Sequence, residues 1–277
     1  MRRCYIMARG SSILLVFGKS IHVSIQIAFI MASKTFYAVV AGVGAGTGRS
    51  VALRFAKAYP VALLARRPES YNDIVDEIKK AGGQAIGVSA DTSDEASVKA
   101  AFESIKKEFA GKKLAAAVFN VGAGFAVKPF LELKAEDLEN SLAGNAKGLF
   151  NFAQQTLPQL LEAVPDSPHP PTLVITGATA SIRGSARFAT FAASKFAVRG
   201  IAQSLSREFH PKGVHVAHVI IDAVIDIPRT KDWVVNDGKE DSKISPDSIA
   251  ESYWYLHAQE RSGFTQELDL RPYVEKF

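Results

Sequence analysis

The sequence predicts an α/β protein, with a doubly wound, mostly parallel sheet covered by helices on both faces. Two observations predict it. Short, nearly continuous apolar runs recur along the chain, and a helical pattern fills each interval between them. A third observation anchors the start. The first apolar run ends in a glycine-rich turn, Gly42-Val43-Gly44-Ala45-Gly46-Thr47-Gly48, and a helical run follows directly.

The β-type runs are Phe36–Ala41, Pro60–Ala65, Gln84–Ser89, Leu114–Asn120, Pro171–Thr176 and Gly213–Ile221, and the tail Glu267–Pro272 reads as a last strand and its exit. The helical patterns are Gly48–Tyr59, Ser70–Ala81, Asp94–Phe109, Lys134–Ala163, Ser185–Phe209 and Pro246–His257. No repeat or low-complexity linker divides them, so residues 36–277 read as a single domain. The proline-rich stretch Ala163–Pro171 is a stiff connection into the fifth strand. His210 and His215, at the entry of the sixth strand, are expected at the surface. Tyr253, Trp254 and Tyr255 are expected to pack in the core.

The chain has 277 residues, 47% hydrophobic and 22% charged, which is ample for one core. One cysteine, Cys4, excludes an internal disulfide framework and fits a reducing compartment. The net charge is +5 and the pI about 9.2. Much of the excess lies in Arg2, Arg3, Arg9, Lys19 and Lys34, all before the first acidic residue, Glu69. No basic tract is interleaved with aromatics, so nucleic acid is not an expected partner. Residues 1–35 form a basic, apolar extension. Its runs Ile13–Phe17 and Ile21–Ile30 are shorter than the roughly 18–20 residues of a membrane span. It reads as a targeting segment, as a membrane-surface anchor, or as a stretch outside the working protein, which would then start at Met31. The last is favoured, and a chain beginning at Met31 is expected to fold. The expected location is the cytoplasm, or the mitochondrion if residues 1–30 are a presequence.

A strand, a glycine turn and a helix N-terminus make an anion site, because unpaired N–H groups and the positive end of the helix dipole face whatever lies above the turn. Gly42, Gly46 and Gly48 allow backbone angles and close approaches that a Cβ forbids. A diphosphate suits the place. The second strand ends in Arg66-Arg67, where a dinucleotide fold reads the adenosine ribose. Arginine there accommodates a 2′-phosphate, whereas an acidic residue would bind a 2′-hydroxyl. The expected cofactor is therefore NADP(H) in preference to NAD(H). Asp91 ends the third strand beside Thr92 and is placed to reach the adenine, or else to cap the next helix.

With these residues in view, the chain from Phe36 to about Arg271 resembles the short-chain dehydrogenase/reductase family. The family's Thr-Gly-x3-Gly-x-Gly turn is matched by Ala41–Gly48, its Asn-Asn-Ala-Gly segment in part by Asn120-Val121-Gly122-Ala123, and its mid-helix asparagine by Asn145. The helix of the Tyr-x3-Lys motif aligns with Phe191-Ala192-Ala193-Ser194-Lys195. The resemblance implies a single-domain Rossmann sheet of about seven strands. It also implies cofactor contacts from Gly42, Gly44, Gly46, Thr47, Gly48, Arg66, Arg67, Asp91, Thr92, Asn120, Gly122 and Lys195. A small apolar substrate and a homodimer or homotetramer formed through the helices of Asn145 and Lys195 are expected with it. No metal site is expected.

The departures bear on the chemistry. The family's general acid/base is the tyrosine, and here Phe191 stands in its place with no ionisable group. No tyrosine lies between Tyr71 and Tyr253, so a shifted alignment does not restore one. The family's serine position holds Ala178, its Pro-Gly pair aligns with Asp222-Ala223, and the threonine that follows aligns with Ile227. Thr179 is the expected substitute for the serine, with Lys195 kept as the ribose-binding residue and Asn145 in its usual role. Asp222 and Asp226 are candidate acid/base groups. The polar stretch Ile227–Ser245 corresponds to the family's substrate flap, where Trp233 covers the substrate or joins the core. The expected function is an NADP(H)-dependent oxidoreductase acting on a carbonyl or alcohol with an altered catalytic tetrad. The alternatives are an isomerase, dehydratase or cyclase on the same scaffold, or a non-catalytic dinucleotide-binding protein.

Overall fold

The computed structural model describes residues 35–276. The readings of the N-terminal extension, including the expected start at Met31, lie almost wholly outside the described residues. Strand β1, Phe36–Ala41, leads into helix α1, Thr47–Ala56, then β2, Val61–Ala65, α2, Asn72–Lys80, β3, Ala85–Ser89, α3, Glu95–Glu108, and β4, Lys113–Phe119. The second half runs α4, Ala135–Leu142, a π turn, Ala143–Lys147, α5, Gly148–Ala163, β5, Thr172–Thr176, α6, Ala189–Phe209, β6, His215–Ile221, α7, Pro246–His257, and β7, Glu267–Leu270.

The seven strands are ordered β3-β2-β1-β4-β5-β6-β7, and every neighbouring pair is parallel. The order reverses between β1 and β4, the switch point at whose C-terminal strand ends ligands of open α/β sheets bind. Alternation along β1 explains the two-sided core. Ala38 and Val40 face one layer with Val51, Phe55, Ile74, Ile78 and Ile249. Tyr37, Val39 and Ala41 face the other with Phe102, Phe119, Phe152 and Val198. Burial on both faces is why these strands read as continuous apolar runs.

Several expectations are corrected. The helix read over Lys134–Ala163 is interrupted by the π turn at Asn145, which widens the backbone where that side chain turns inward. The helix read from Ser185 begins at Ala189, after a turn in which Arg187 takes φ 72°. His215 is fully buried rather than at the surface. Its ring bonds the carbonyls of Leu256 and Thr265 and stacks on Phe264. His210 is half-buried and bonds Val216. Tyr253 is buried and Trp254 partly so, whereas Tyr255 is exposed on the outer face of α7. Among the described residues, no helix is long and apolar enough to cross a membrane.

Candidate active site

The glycine turn joins β1 to α1 with little room to spare. Gly42 takes φ +82°, and a Cβ there would stand 2.4 Å from the Asn120 carbonyl oxygen. A Cβ on Gly48 would come 2.5 Å from the Gly42 oxygen, so α1 starts directly against the strand end. Gly46 is the N-cap of α1, with no side chain capping it and no acidic residue in the first turn. The opening N–H groups, including those of Thr47 and Gly48, therefore have neither a side-chain cap nor an acidic partner from the first turn of α1. Space beside Gly44 is open. This cradle suits an anion such as a diphosphate, since it offers backbone donors and no competing carboxylate. Ile227, from the flap, lies over it, with its Cγ2 at 2.7 Å from where a Cβ on Gly46 would sit.

Asn120 ties the turn to the sheet. Its Nδ2 donates to the Gly42 carbonyl at 3.1 Å, and its Oδ1 accepts from the Thr176 hydroxyl at 3.1 Å. Tyr253 in turn contacts that hydroxyl at 2.6 Å. Gly122 is exposed on the loop after β4. On the other side of β1, Arg66 and Arg67 are exposed just past β2. Asp91 accepts from the Ser93 hydroxyl at 2.7 Å and the Ser93 N–H at 2.9 Å. The Ser93 hydroxyl, helped by its N–H, Arg66 and Lys147, holds the Asp91 carboxyl below the usual range. The cap of α3 is Asp94, not Asp91. Thr92 is buried against Gly148 and does not open to solvent.

The reacting end lies two strands away, at the tip of β5. Lys195 is only 4% exposed. Its Nζ donates to the Thr176 carbonyl at 3.3 Å, and burial brings its pKa down to about 8. The Phe191 ring centroid stands 5.9 Å from that nitrogen. Phe191 meets Phe125 edge-on at 5.0 Å, and Phe125 meets Phe188 at 5.7 Å. An apolar aromatic wall thus replaces the phenol. Asn145 is buried, and its Nδ2 donates to the carbonyls of Ala123 and Ser141 at 2.8 and 2.9 Å. Its Oδ1 is buried with no partner among the described residues.

Ala178 presents only a methyl group, and its N–H is taken by the Ser181 hydroxyl at 3.1 Å. Thr179 does not bond to backbone, as a strand-end hydroxyl commonly does. It donates to Asp222 Oδ1 at 2.5 Å. Asp222, buried at the end of β6, also faces Arg271 at 3.2 Å and Arg183 at 3.8 Å. Asp226 is held in the flap by its N–H, which donates to Ile244. Trp233 is 51% exposed and so belongs to the flap surface, not the core. The hydroxyl of Thr230 bonds Ile225, and Lys243 bonds the carbonyls of Thr230 and Lys231, which gives the flap its own scaffold. Among the described residues, no group of His, Cys, Asp and Glu side chains is arranged to hold a metal ion.

The sequence reading missed one polar cluster under α6. His218 is fully buried in β6, and its Nδ1 bonds Glu267 at 2.9 Å across the β6–β7 register. Glu267 also receives two bonds from Arg199 of α6, at 2.8 and 2.6 Å. The only signal was a histidine inside an apolar run, and its partner is set by a register that the sequence does not spell out. Phe125 was missed too, because it lies in a loop without periodicity.

Residues 37–231 match the family model for short chain dehydrogenases. A short-chain dehydrogenase structure from Rhodopseudomonas palustris is 33% identical, with a TM-score of 0.69 over 85% of this chain and 99% of that one. A 3beta-hydroxysteroid dehydrogenase of Mediterraneibacter gnavus is 29% identical over 194 residues, covering 70% of this chain and 67% of its own length. A metagenomic short-chain oxidoreductase in complex with NADP is 23% identical, with a TM-score of 0.73 over 88% of this chain and 99% of that one, a likeness of fold.

Proposed function

Because the chain belongs to the short-chain dehydrogenase family, we propose that it is an NADP(H)-dependent oxidoreductase that interconverts an alcohol and a carbonyl on a small apolar substrate. Proton transfer in it no longer rests on a tyrosine. The observation that carries this reading is the pairing of an uncapped glycine turn at Gly42–Gly48 with a buried Lys195 two strands away. Gly42, Gly44, Gly46, Thr47 and Gly48 hold the diphosphate. Arg66 and Arg67 meet the 2′-phosphate, Asp91 borders the adenine with buried Thr92 packed behind it, and Asn120 and Gly122 flank the path to the nicotinamide. When bound, the nicotinamide supplies the hydride donor or acceptor. Lys195 holds the adjoining ribose, Asn145 fixes the helix bend behind it, and Thr179 orients the substrate oxygen. Phe125, Phe188 and Phe191 exclude water and favour an apolar substrate. Exposed Phe150 of α5 and Phe196 of α6 support a homodimer or homotetramer through those helices.

A second reading, another reaction or no reaction on a retained dinucleotide scaffold, is favoured by Phe191 and Ala178 alone. The test is a fluorescence titration with NADPH and NADH, followed by nicotinamide absorbance with apolar alcohols and carbonyls. Tighter binding of NADPH with turnover in at least one direction is expected, and Arg66→Ala should lower the NADPH preference by about tenfold, the loss of one charged contact. Binding without turnover would favour the second reading, and an unchanged preference in the variant would remove the role of Arg66.

A further inference from the structure

The reacting end holds one hydroxyl whose proton is already committed. Thr179 donates to Asp222 Oδ1 at 2.5 Å, so its Oγ1 is left with lone pairs and no proton to offer outward. Asp222 is buried, and both its oxygens face guanidinium groups, Oδ2 that of Arg271 at 3.2 Å and Oδ1 that of Arg183 at 3.8 Å. Thr179 itself is partly open, on the turn that follows Ala178. Of the neighbouring donors, the Ala178 N–H goes to Ser181, and the Lys195 ammonium gives one of its three hydrogens to the Thr176 carbonyl and is kept for the ribose in the reading above. Phe191 offers no polar atom. A ketone oxygen needs a donor, and an alcohol can bring its own.

We propose that this site takes its substrate as the alcohol, with Thr179 accepting the substrate's hydroxyl hydrogen bond and Asp222 receiving the proton through it. The inference rests on the oxidoreductase reading above and adds a direction to it. In the step, a bound oxidised nicotinamide would supply the acceptor for the carbinol hydrogen and its two electrons. The C–O bond becomes a carbonyl, the substrate O–H proton passes to Thr179 Oγ1, and the Thr179 proton passes to Asp222 Oδ1. The products are a carbonyl compound, a reduced dinucleotide and a protonated carboxyl group that returns its proton to water. Thr179 is the catalytic group that touches the substrate, and Asp222 acts through it. Arg271 and Arg183 position the carboxylate.

The test uses the full chain with its dinucleotide site filled by 2′-phospho-ADP-ribose, which cannot react. Binding of 1-phenylethanol and of acetophenone, an alcohol and ketone of matched shape, is then measured by ligand-observed NMR. The wild type should hold the alcohol about fivefold or more tighter than the ketone, the worth of one net hydrogen bond. Thr179→Val should bring the two within about twofold, and Thr179→Ser should keep the preference. Asp222→Ala, if it folds, frees the hydroxyl proton and should shift the preference toward the ketone. A wild type that holds 2′-phospho-ADP-ribose but binds the ketone as well as the alcohol, or binds neither, overturns the inference, as does a preference that survives in Thr179→Val. Failure to hold 2′-phospho-ADP-ribose would instead strike at the oxidoreductase reading on which the inference stands.

Discussion

Lys195 carries a charge in a place that disfavours one. Its burial brings the pKa to about 8, against 10.5 for an ordinary lysine. Below about pH 8 the group is protonated in both folded and unfolded chains, and the fold bears the whole desolvation cost. Between about pH 8 and 10.5 the unfolded chain binds more protons, so this contribution makes stability rise with pH, by on the order of 3 kcal/mol across the window. Buried Tyr37, Tyr59 and Tyr253, whose pKa values burial pushes up, act with the opposite sign above about pH 10. They are common to wild type and Lys195→Met and cancel between them. Urea unfolding of both proteins should show the wild type gaining on the variant as pH rises through the window, and a constant gap would contradict the burial. A second prediction concerns the missing phenol. The Phe191 ring already stands beside Lys195, so Phe191→Tyr with Ala178→Ser should raise kcat/KM for ketone reduction by about 10²-fold or more. An unchanged reduction rate would mean that the departures are not what limits it. At this scale the sequence made the substitutions legible, since Phe191 and Ala178 can be counted back from Lys195. It did not make Arg271 legible as a partner of Asp222, because that pairing depends on two strand ends meeting.

At the scale of elements, β5, β6, β7 and α6 are locked by side chains. The bidentate Arg199–Glu267 pair joins α6 to β7, and His218 joins β6 to the same carboxylate of β7. Room for the imidazole comes from Gly177, where a Cβ would lie 2.3 Å from His218 Nε2. Gly177→Ala should therefore cost about 1–3 kcal/mol of overpacking, read from denaturant unfolding. The double variant Gly177→Ala with His218→Ala should cost less than the sum of the two single variants, because the clash is gone. Strict additivity would show that the ring and the glycine are not coupled. The boundaries of the elements explain what sequence patterns conveyed. Strands buried on both faces, such as β1, β4 and β6, announce themselves as apolar runs, whereas β7 is only half-buried and read as a strand from the alternation of its tail. Helix interruptions do not announce themselves: the π turn holds Gly144 and Asn145 but no proline, and the contacts that Asn145 makes there with Ala123, like the turn that delays α6 to Ala189, are set by the fold. His215 was misplaced for the same reason: α7 and the turn before β7 cover it.

Across the whole molecule, the sheet order places the glycine turn after β1, Arg66 after β2 and the Lys195 contact after β5 along the C-terminal strand ends, on either side of the reversal between β1 and β4. The fold class and the dinucleotide end were legible because a strand, a glycine turn and a helix are contiguous in sequence. The reacting end was legible only in part, because it gathers β5, β6, α6 and the loop of Phe125 from distant stretches. The account depends on that edge capturing a nicotinamide dinucleotide through the Gly42–Gly48 turn. A ligand that binds only the folded state stabilises it by about 2.7 kcal/mol at one hundred times its Kd. The most direct measurement is thermal unfolding of wild type and Gly42→Ala over a series of NADPH concentrations. The account predicts that NADPH raises the Tm of the wild type progressively, with the logarithm of its concentration once that exceeds Kd. The variant should start lower, since alanine at φ +82° is strained and its Cβ meets Asn120, and NADPH should not move it. A wild-type Tm indifferent to NADPH and NADH, or an equal rise in the variant, would contradict it.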